Sequence, residues 1–348
     1  MARSKLIILI SLVVLMSVPA TSALAAASGT GTAVASDANG LSDRINISMT
    51  GVAHPADGKA YEGWLVSDDG ETKTSLGILD VSGGTISHEY ISPTGEDLVQ
   101  SYGEIMITVE PVSDTDSAPS GDVAFSDKIP TDAVKHIRVL LKDSLSGLRT
   151  QLDAAIAEAT LAKDATTLAD VVLHTNKAIA IIDGETGVLA LASGRTNANN
   201  AAGRVDDSVV DSHALLVDKY GKNAADWATS AKTTAQDKVL SQTDVTLAKL
   251  FIGPGSETVL GYLNAARSGF GATGGAEQAY VEGQLMGSYV LGDRPTSNIA
   301  IVDAELPSVG DQAVQMLMQI SLLTSLLFLA TGSLMALRSR SWRSHSRS

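Results

Sequence analysis

The chain has 348 residues, no cysteine, and 39 acidic against 25 basic side chains, a formal net charge of −14. Two of the basic residues precede position 28 and four follow position 337, so residues 28–313 hold 19 basic against 39 acidic groups, a net of −20. A body this anionic repels nucleic acid and anionic lipid, and the lack of cysteine excludes a disulfide framework, a thiol nucleophile and a thiolate metal site.

Residues 1–27 read as a secretory signal peptide. Arg3 and Lys5 precede the apolar stretch Leu6 to Val18, and small residues come next with an Ala23-Leu24-Ala25 step. An uncleaved signal anchor is the alternative, and either reading places the body of the chain outside the cell. For an exported chain, the missing cysteines lean towards a prokaryotic source, where the sequon Asn46-Ile47-Ser48 is incidental. Residues 28–40 are small and polar, a flexible lead-in.

From 41 to 129 the period is two, with short runs at Ile45–Met49, Tyr61–Val66, Leu76–Asp80, Thr85–Tyr90, Glu104–Glu110 and Val123–Ser126. Turn residues such as Asp69-Gly70 and Ser82-Gly83-Gly84 separate them, which predicts a β-sandwich with Trp64 and Phe125 in its core. The Glu104–Val109 run alternates least, as a central strand covered on both faces would.

At Pro130 the period changes to that of a helix. Asp132 is the expected N-cap, and Ile137, Leu141, Leu145, Leu148, Leu152 and Ile156 come after it at helical spacing. A second helix is expected over Thr166–Ile182 through Leu168, Val172, Ile179 and Ile182, then a loop over Ser193–Gly203. Further helices are expected near Asp206–Tyr220, Ala224–Ser241, Val245–Phe251, Ser256–Arg267 and Ala276–Val290. Residues 130–290 thus read as a loosely packed, alanine-rich α-helical bundle. Residues 291–313, with Pro295 and Pro307, read as a juxtamembrane stalk.

Residues 314–337 end the series as a transmembrane helix. The uncharged run Met316–Leu337 would span about 33 Å as a helix, enough to cross a bilayer core. The tail 338–348 carries Arg338, Arg340, Arg343 and Arg347 with no acid, which places it in the cytoplasm. The expected fold is α+β multidomain: an N-terminal all-β sandwich, an α-helical bundle and a C-terminal transmembrane helix.

Four segments of the β region carry a resemblance. Tyr61-Glu62-Gly63-Trp64-Leu65-Val66, Ser75-Leu76-Gly77-Ile78-Leu79, Ile107-Thr108-Val109-Glu110-Pro111 and Ala118-Pro119-Ser120-Gly121 succeed one another in that order. Together they resemble the extracytoplasmic, C-terminal domain of anti-sigma-K factors, over about residues 41–128. The resemblance implies a sandwich placed outside the membrane. Those regulators usually begin with a cytoplasmic sigma-binding domain, whereas this chain begins with a signal segment and ends in an eleven-residue basic tail too short to clamp a sigma factor. Fold and placement are therefore carried over, and anti-sigma activity is not.

No catalytic constellation, cofactor site or metal site is assigned. His136, His174 and His213 fall one to a helix and could meet as a metal or haem site, but only His213 shares an apolar stripe, with Val209, Leu216 and Tyr220. Core or surface histidines are the favoured reading. Ser67-Asp68-Asp69-Gly70, Asp114-Thr115-Asp116 and Asp206-Asp207 lack EF-hand spacing and read as solvated turns rather than calcium loops. Gly269–Gly275 is glycine-rich but has no preceding strand and no following lysine, so it is no phosphate loop. The expectation is a non-enzymatic module held in the membrane by residues 314–337. It binds an extracytoplasmic protein or ligand and no nucleic acid. An envelope signalling regulator of anti-sigma lineage is the alternative, and a metal- or haem-binding bundle the second.

Overall fold

A computed structural model describes residues 28–112, 118–119 and 122–292. The expected signal peptide 1–27, transmembrane helix 314–337, basic tail and all but the first two residues of the stalk lie outside these. Among the described residues no helix is long and apolar enough to cross a membrane. They fall into two compact units, one of residues 28–138 and 287–292, the other of residues 139–286. The chain is α+β: two antiparallel sheets and a set of helices.

The first unit holds eight strands: β1 (Thr30–Ser36), β2 (Arg44–Thr50), β3 (Lys59–Val66), β4 (Lys73–Leu79), β5 (Thr85–Ile91), β6 (Glu104–Pro111), β7 (Val123–Lys128) and β8 (Tyr289–Leu291). One sheet runs β5-β2-β1-β8 and the other β4-β3-β6-β7. The lead-in expected over 28–40 therefore contains a strand. Ala33 and Ala35 are buried, and β1 pairs with β2 along its whole length, Thr30 opposite Thr50 through Ser36 opposite Arg44. Their small side chains hid the alternation.

The other edge of β1 is occupied by β8, with Gly31 opposite Leu291 and Ala33 opposite Tyr289. Residues 287–290, expected as the end of a helix, and Leu291, expected in the stalk, instead complete the sheet unit. The helical unit is an insertion between β7 and β8. Tyr289 is fully enclosed, its hydroxyl donating to the Tyr102 carbonyl at 3.4 Å, while Val290 N–H donates to Asp127 Oδ2 at 2.6 Å. Burial pushes the Tyr289 phenol far above its ordinary range.

Strands β3 and β6 pair without a break from Lys59 opposite Pro111 to Val66 opposite Glu104. Tyr61, Leu65, Ile105 and Ile107 are buried on one face and Trp64, Val66, Thr108 and Glu110 on the other. That is the doubly covered central strand expected from the weak alternation of Glu104–Val109. Gly63 allows the close approach of β4 there: a Cβ at this position would lie 3.3 Å from Leu76 Cβ.

The β1–β2 turn is built on Asp43. Its carboxylate accepts from Ala38 N (2.7 Å), Asn39 N (3.0 Å) and Gly40 N (2.9 Å), and Asp37 Oδ1 accepts from Ser42 N (2.9 Å). Ser42 takes the left-handed conformation, φ 47°, that closes this turn.

Two helices, α1 (Leu98–Ser101) and α2 (Thr131–Val139), accompany the sheets. Asp132 lies inside the first turn of α2, not at its cap; Ala133 N and Val134 N donate to the Pro130 carbonyl instead. Arg138 near the end of α2 forms a bidentate pair with Asp68 (2.6 and 2.9 Å) and donates from Nε to the Val99 carbonyl (2.8 Å).

The second unit continues from a π-helical turn (Leu140–Leu145) into α3 (Ser146–Asp164), α4 (Leu168–Asp183), α5 (Val188–Ala192), α6 (Arg195–Ala202), α7 (Ser208–Thr234), a further π turn (Ala235–Val239), α8 (Val245–Leu250), α9 (Val259–Ser268) and α10 (Ala276–Met286). The wide π turn buries Leu140, Leu141, Ser144 and Leu145 together. The stretch Ser193–Gly203, expected as a loop, is largely α6. Burying Ala198 and Ala201 outweighs the poor helix propensity of its asparagines.

The two helices expected over 206–241 are one 27-residue helix, α7, through Gly221. That glycine is buried, and a Cβ there would come within 3.8 Å of both the Ala192 carbonyl and Arg195. In α4 the buried face is Val171, Thr175, Ala178 and Ile182, so of the expected stripe Leu168, Val172, Ile179 and Ile182 only Ile182 lies on it. Small residues occupy the contacts here. Ala155, Ala159 and Ala162 on α3 and Ala224, Ala228 and Ala231 on α7 are almost wholly enclosed, so the alanine content reflects close helix approach, not loose packing. A charged network ties α3, α9 and α10: Arg267 bonds Asp153 (2.9 Å) and Glu277, and Arg149 forms an ion pair with Glu277 (3.0 Å) and stacks 4.1 Å over Tyr280.

Candidate functional site

Most of the side chains singled out in the sequence have a local partner or lie outside the described residues, while Asp206 is exposed. His174 on α4 pairs through Nδ1 with Glu158 of α3 at 2.7 Å, and His213 on α7 pairs through Nδ1 with Glu282 of α10 at 2.6 Å. Both pairs are about four-fifths enclosed and fasten one helix to its neighbour. His136 on α2 is half-buried, its Nε2 enclosed. Among the described residues no three His, Asp or Glu side chains converge as a metal site would require. The stripe assigned to His213 is also displaced. The buried face of α7 is Val210, Ala214, Val217 and Gly221, and Val209, Leu216 and Tyr220 flank it.

The acidic turns resolve in the same way. Asp68 is held by Arg138, and Asp69 accepts from Ser67 Oγ and from Glu71 N (3.0 Å) within its own turn. These bonds hold the Asp69 carboxyl below its usual range, the Ser67 hydroxyl first. Asp207 is the N-cap of α7, accepting from Val209 N (2.9 Å) and Val210 N (3.2 Å). Burial first, then the charges of Asp206 and Asp207, pushes the nearby Asp211 carboxyl up. Asp114-Thr115-Asp116 lies outside the described residues. In the glycine-rich loop, Gly269 takes φ 82° after α9, and Gly275 N donates to Gln278 Oε1 (2.8 Å) at the start of α10. The loop connects two helices.

A concavity lies elsewhere in the helical unit, where the end of α3, helix α8 and the loop 253–258 line an open groove of about 590 Å³. Local structure fixes each wall. Asp244 caps α8 by accepting from Thr246 N (2.8 Å) and Leu247 N (2.9 Å). Val259 N donates to the Phe251 carbonyl (2.9 Å), pinning the loop at its base, and Thr258 Oγ1 lies against the Gly253 and Gly255 carbonyls, which share its one proton. Gly261 lets that loop close: a Cβ there would lie 2.0 Å from the Gly255 carbonyl oxygen.

The lining is mostly apolar, with Ala165, Val245, Leu250 and Pro254, and its only charged members among the described residues are Lys163 and Lys249. Lys249 Nζ donates to the Ala165 carbonyl at 2.9 Å, which caps the C-terminal end of α3. Lys163 is 40% exposed and lies 3.5 Å from the exposed Asp164. Neither lysine stood out in the sequence. They are 86 positions apart on separate helices, and only tertiary folding places them along one groove.

Of the residues that carry the resemblance, Trp64 of β3 donates from its indole nitrogen to Thr108 Oγ1 of β6 at 2.9 Å, and Tyr61 packs 6.3 Å from Phe125 of β7. The model of the family described as "Anti-sigma-K factor rskA, C-terminal" matches residues 12–123. Over that stretch the chain is similar to the anti-sigma-K factor C-terminal domain, and the match takes in β1 to β6 and stops at the first residue of β7. The helical insertion and β8 lie beyond it, and the match covers well under half of the chain. No curated protein and no solved structure matches the chain.

Proposed function

We propose that the protein is a non-enzymatic binding module. Its sheet unit and inserted helical unit stand outside the cell, and residues 314–337 hold them in the membrane. The observation that carries this reading is the uncharged run Met316–Leu337 followed at once by four arginines and no acid. The family match supports it, because the resemblance implies an extracytoplasmic placement for this type of domain. His174 and His213, weighed as metal or haem ligands, and Asp68, weighed in a calcium turn, are engaged in pairs that fasten helices and turns.

Orientation tests this directly. Protease applied to intact cells should degrade an epitope placed between residues 41 and 129 and spare one placed after Arg338, and carbonate should leave the protein in the membrane pellet. A protected body, or release by carbonate, overturns the proposal.

The family match favours one second reading, an envelope signalling regulator of anti-sigma lineage that is cut within residues 291–313. A stable tail fragment that accumulates under envelope stress supports it; an uncut protein under the same stress rules it out.

A further inference from the structure

We infer that the groove between α3, α8 and the loop 253–258 is a binding site for a single-chain amphiphile ending in a carboxylate. Its volume, about 590 Å³, lies in the range of small-molecule sites. The walls supply an apolar surface from Ala165, Val245, Leu250 and Pro254, and the charges supplied are both positive.

That sign is the informative part. Residues 28–313 carry a net of −20, so most of this surface disfavours an anion. Among the described residues the charged groups that line this groove are two ammoniums, whose charge complements an anionic headgroup. Lys249 is held in place by the Ala165 carbonyl, and an ammonium has three donors, so the cap leaves two for a ligand. Lys163 pairs with the neighbouring Asp164 at 3.5 Å, an exposed pair that offers a carboxylate little competition. Each ammonium can make a charge-assisted bond to the carboxylate, and the apolar walls take the hydrocarbon chain. A neutral apolar ligand would leave both lysines unused, and a cationic one would be repelled.

The inference concerns the helical unit alone and stands or falls apart from the proposed membrane orientation. The test uses the full chain in discs of zwitterionic phosphatidylcholine, photolabelled with a diazirine-bearing decanoate and mapped by mass spectrometry. Adducts should cluster on residues 161–166 and 245–258, and plain decanoate should displace them, whereas decanol and decylammonium should not. The double variant Lys163→Gln, Lys249→Gln removes both charge-assisted bonds and should lower labelling at least about tenfold. Circular dichroism and the melting temperature report whether that variant still folds. Should it not, Leu250→Asp, at a residue 65% exposed, must lower labelling by itself.

Adducts scattered along the chain, equal displacement by decanol, or labelling unchanged in Leu250→Asp and in a folded double variant would overturn the inference. Displacement by phosphatidylglycerol vesicles but not by decanoate would also overturn it, in favour of a bilayer lipid.

Discussion

Trp64 and Thr108 are joined by a buried hydrogen bond of 2.9 Å across the central pair of strands β3 and β6. Two of the four segments that carry the family resemblance are thus one structural element. The indole nitrogen can only donate, and Thr108 supplies its acceptor inside the core. Thr108→Val keeps the shape and removes the oxygen. The variant should lose about 1–3 kcal/mol, the cost of an unsatisfied buried donor, read as a lower urea midpoint. A change of the near-ultraviolet signal of Trp64 should accompany it.

Arg138 and Asp68 should respond unequally to substitution. Arg138 is the better buried partner and also holds the Val99 carbonyl, whereas Asp68 is 44% exposed. Asp68→Asn should cost under about 1 kcal/mol, as exposed pairs do. Arg138→Ala should cost about 1–3 kcal/mol, because it also leaves the Val99 acceptor unmatched. Chemical denaturation of the two variants side by side measures the difference.

Asp43 makes the sheet unit acid-sensitive. Burial pushes its carboxyl up, but the N–H groups of Ala38, Asn39 and Gly40 outweigh that and hold it below its usual 3.8. A group with a depressed folded value contributes stability above its unfolded value and loses that contribution as pH falls through the folded one. Asp43→Asn should therefore be clearly less stable than the parent at pH 7. The gap should narrow as pH drops below about 4. Melts of both proteins across that window measure it.

Tyr289 belongs to the sheet unit although the whole helical unit precedes it in the chain. It is fully enclosed beside Tyr102 and sits opposite Ala33 on β1. Tyr289→Ala should cost about 3–5 kcal/mol, as other large buried aromatics do. Tyr289→Phe keeps the ring and loses one long hydrogen bond, so it should cost about 1 kcal/mol or less. Hydrogen exchange at β1 amides in the full chain checks that the damage reaches the sheet.

Much of the sheet unit was legible because its strands carry bulky alternating residues and its turns carry glycine and aspartate. Strands β1 and β8 were not. Ala33 and Ala35 are too small to mark a buried face, and three residues at Tyr289–Leu291 are too few to show a period. The helical unit was read as helical, but its boundaries shifted where burial of small residues overrode propensity, as at Gly221 and Ala198. The groove was invisible in the sequence, since Lys163 and Lys249 look like ordinary solvated lysines until α3 and α8 come together.

The late arrival of β8 bears on how the molecule is made. Synthesis from the N-terminus delivers β1 to β7 first, then every helix of the insertion, and only then the strand that pairs with Gly31, Thr32 and Ala33 of β1. Until then β1 is a bare strand edge, open to pairing with another chain. A nascent molecule stalled before Leu291 is thus the aggregation-prone species, and the insertion sets how long that exposure lasts.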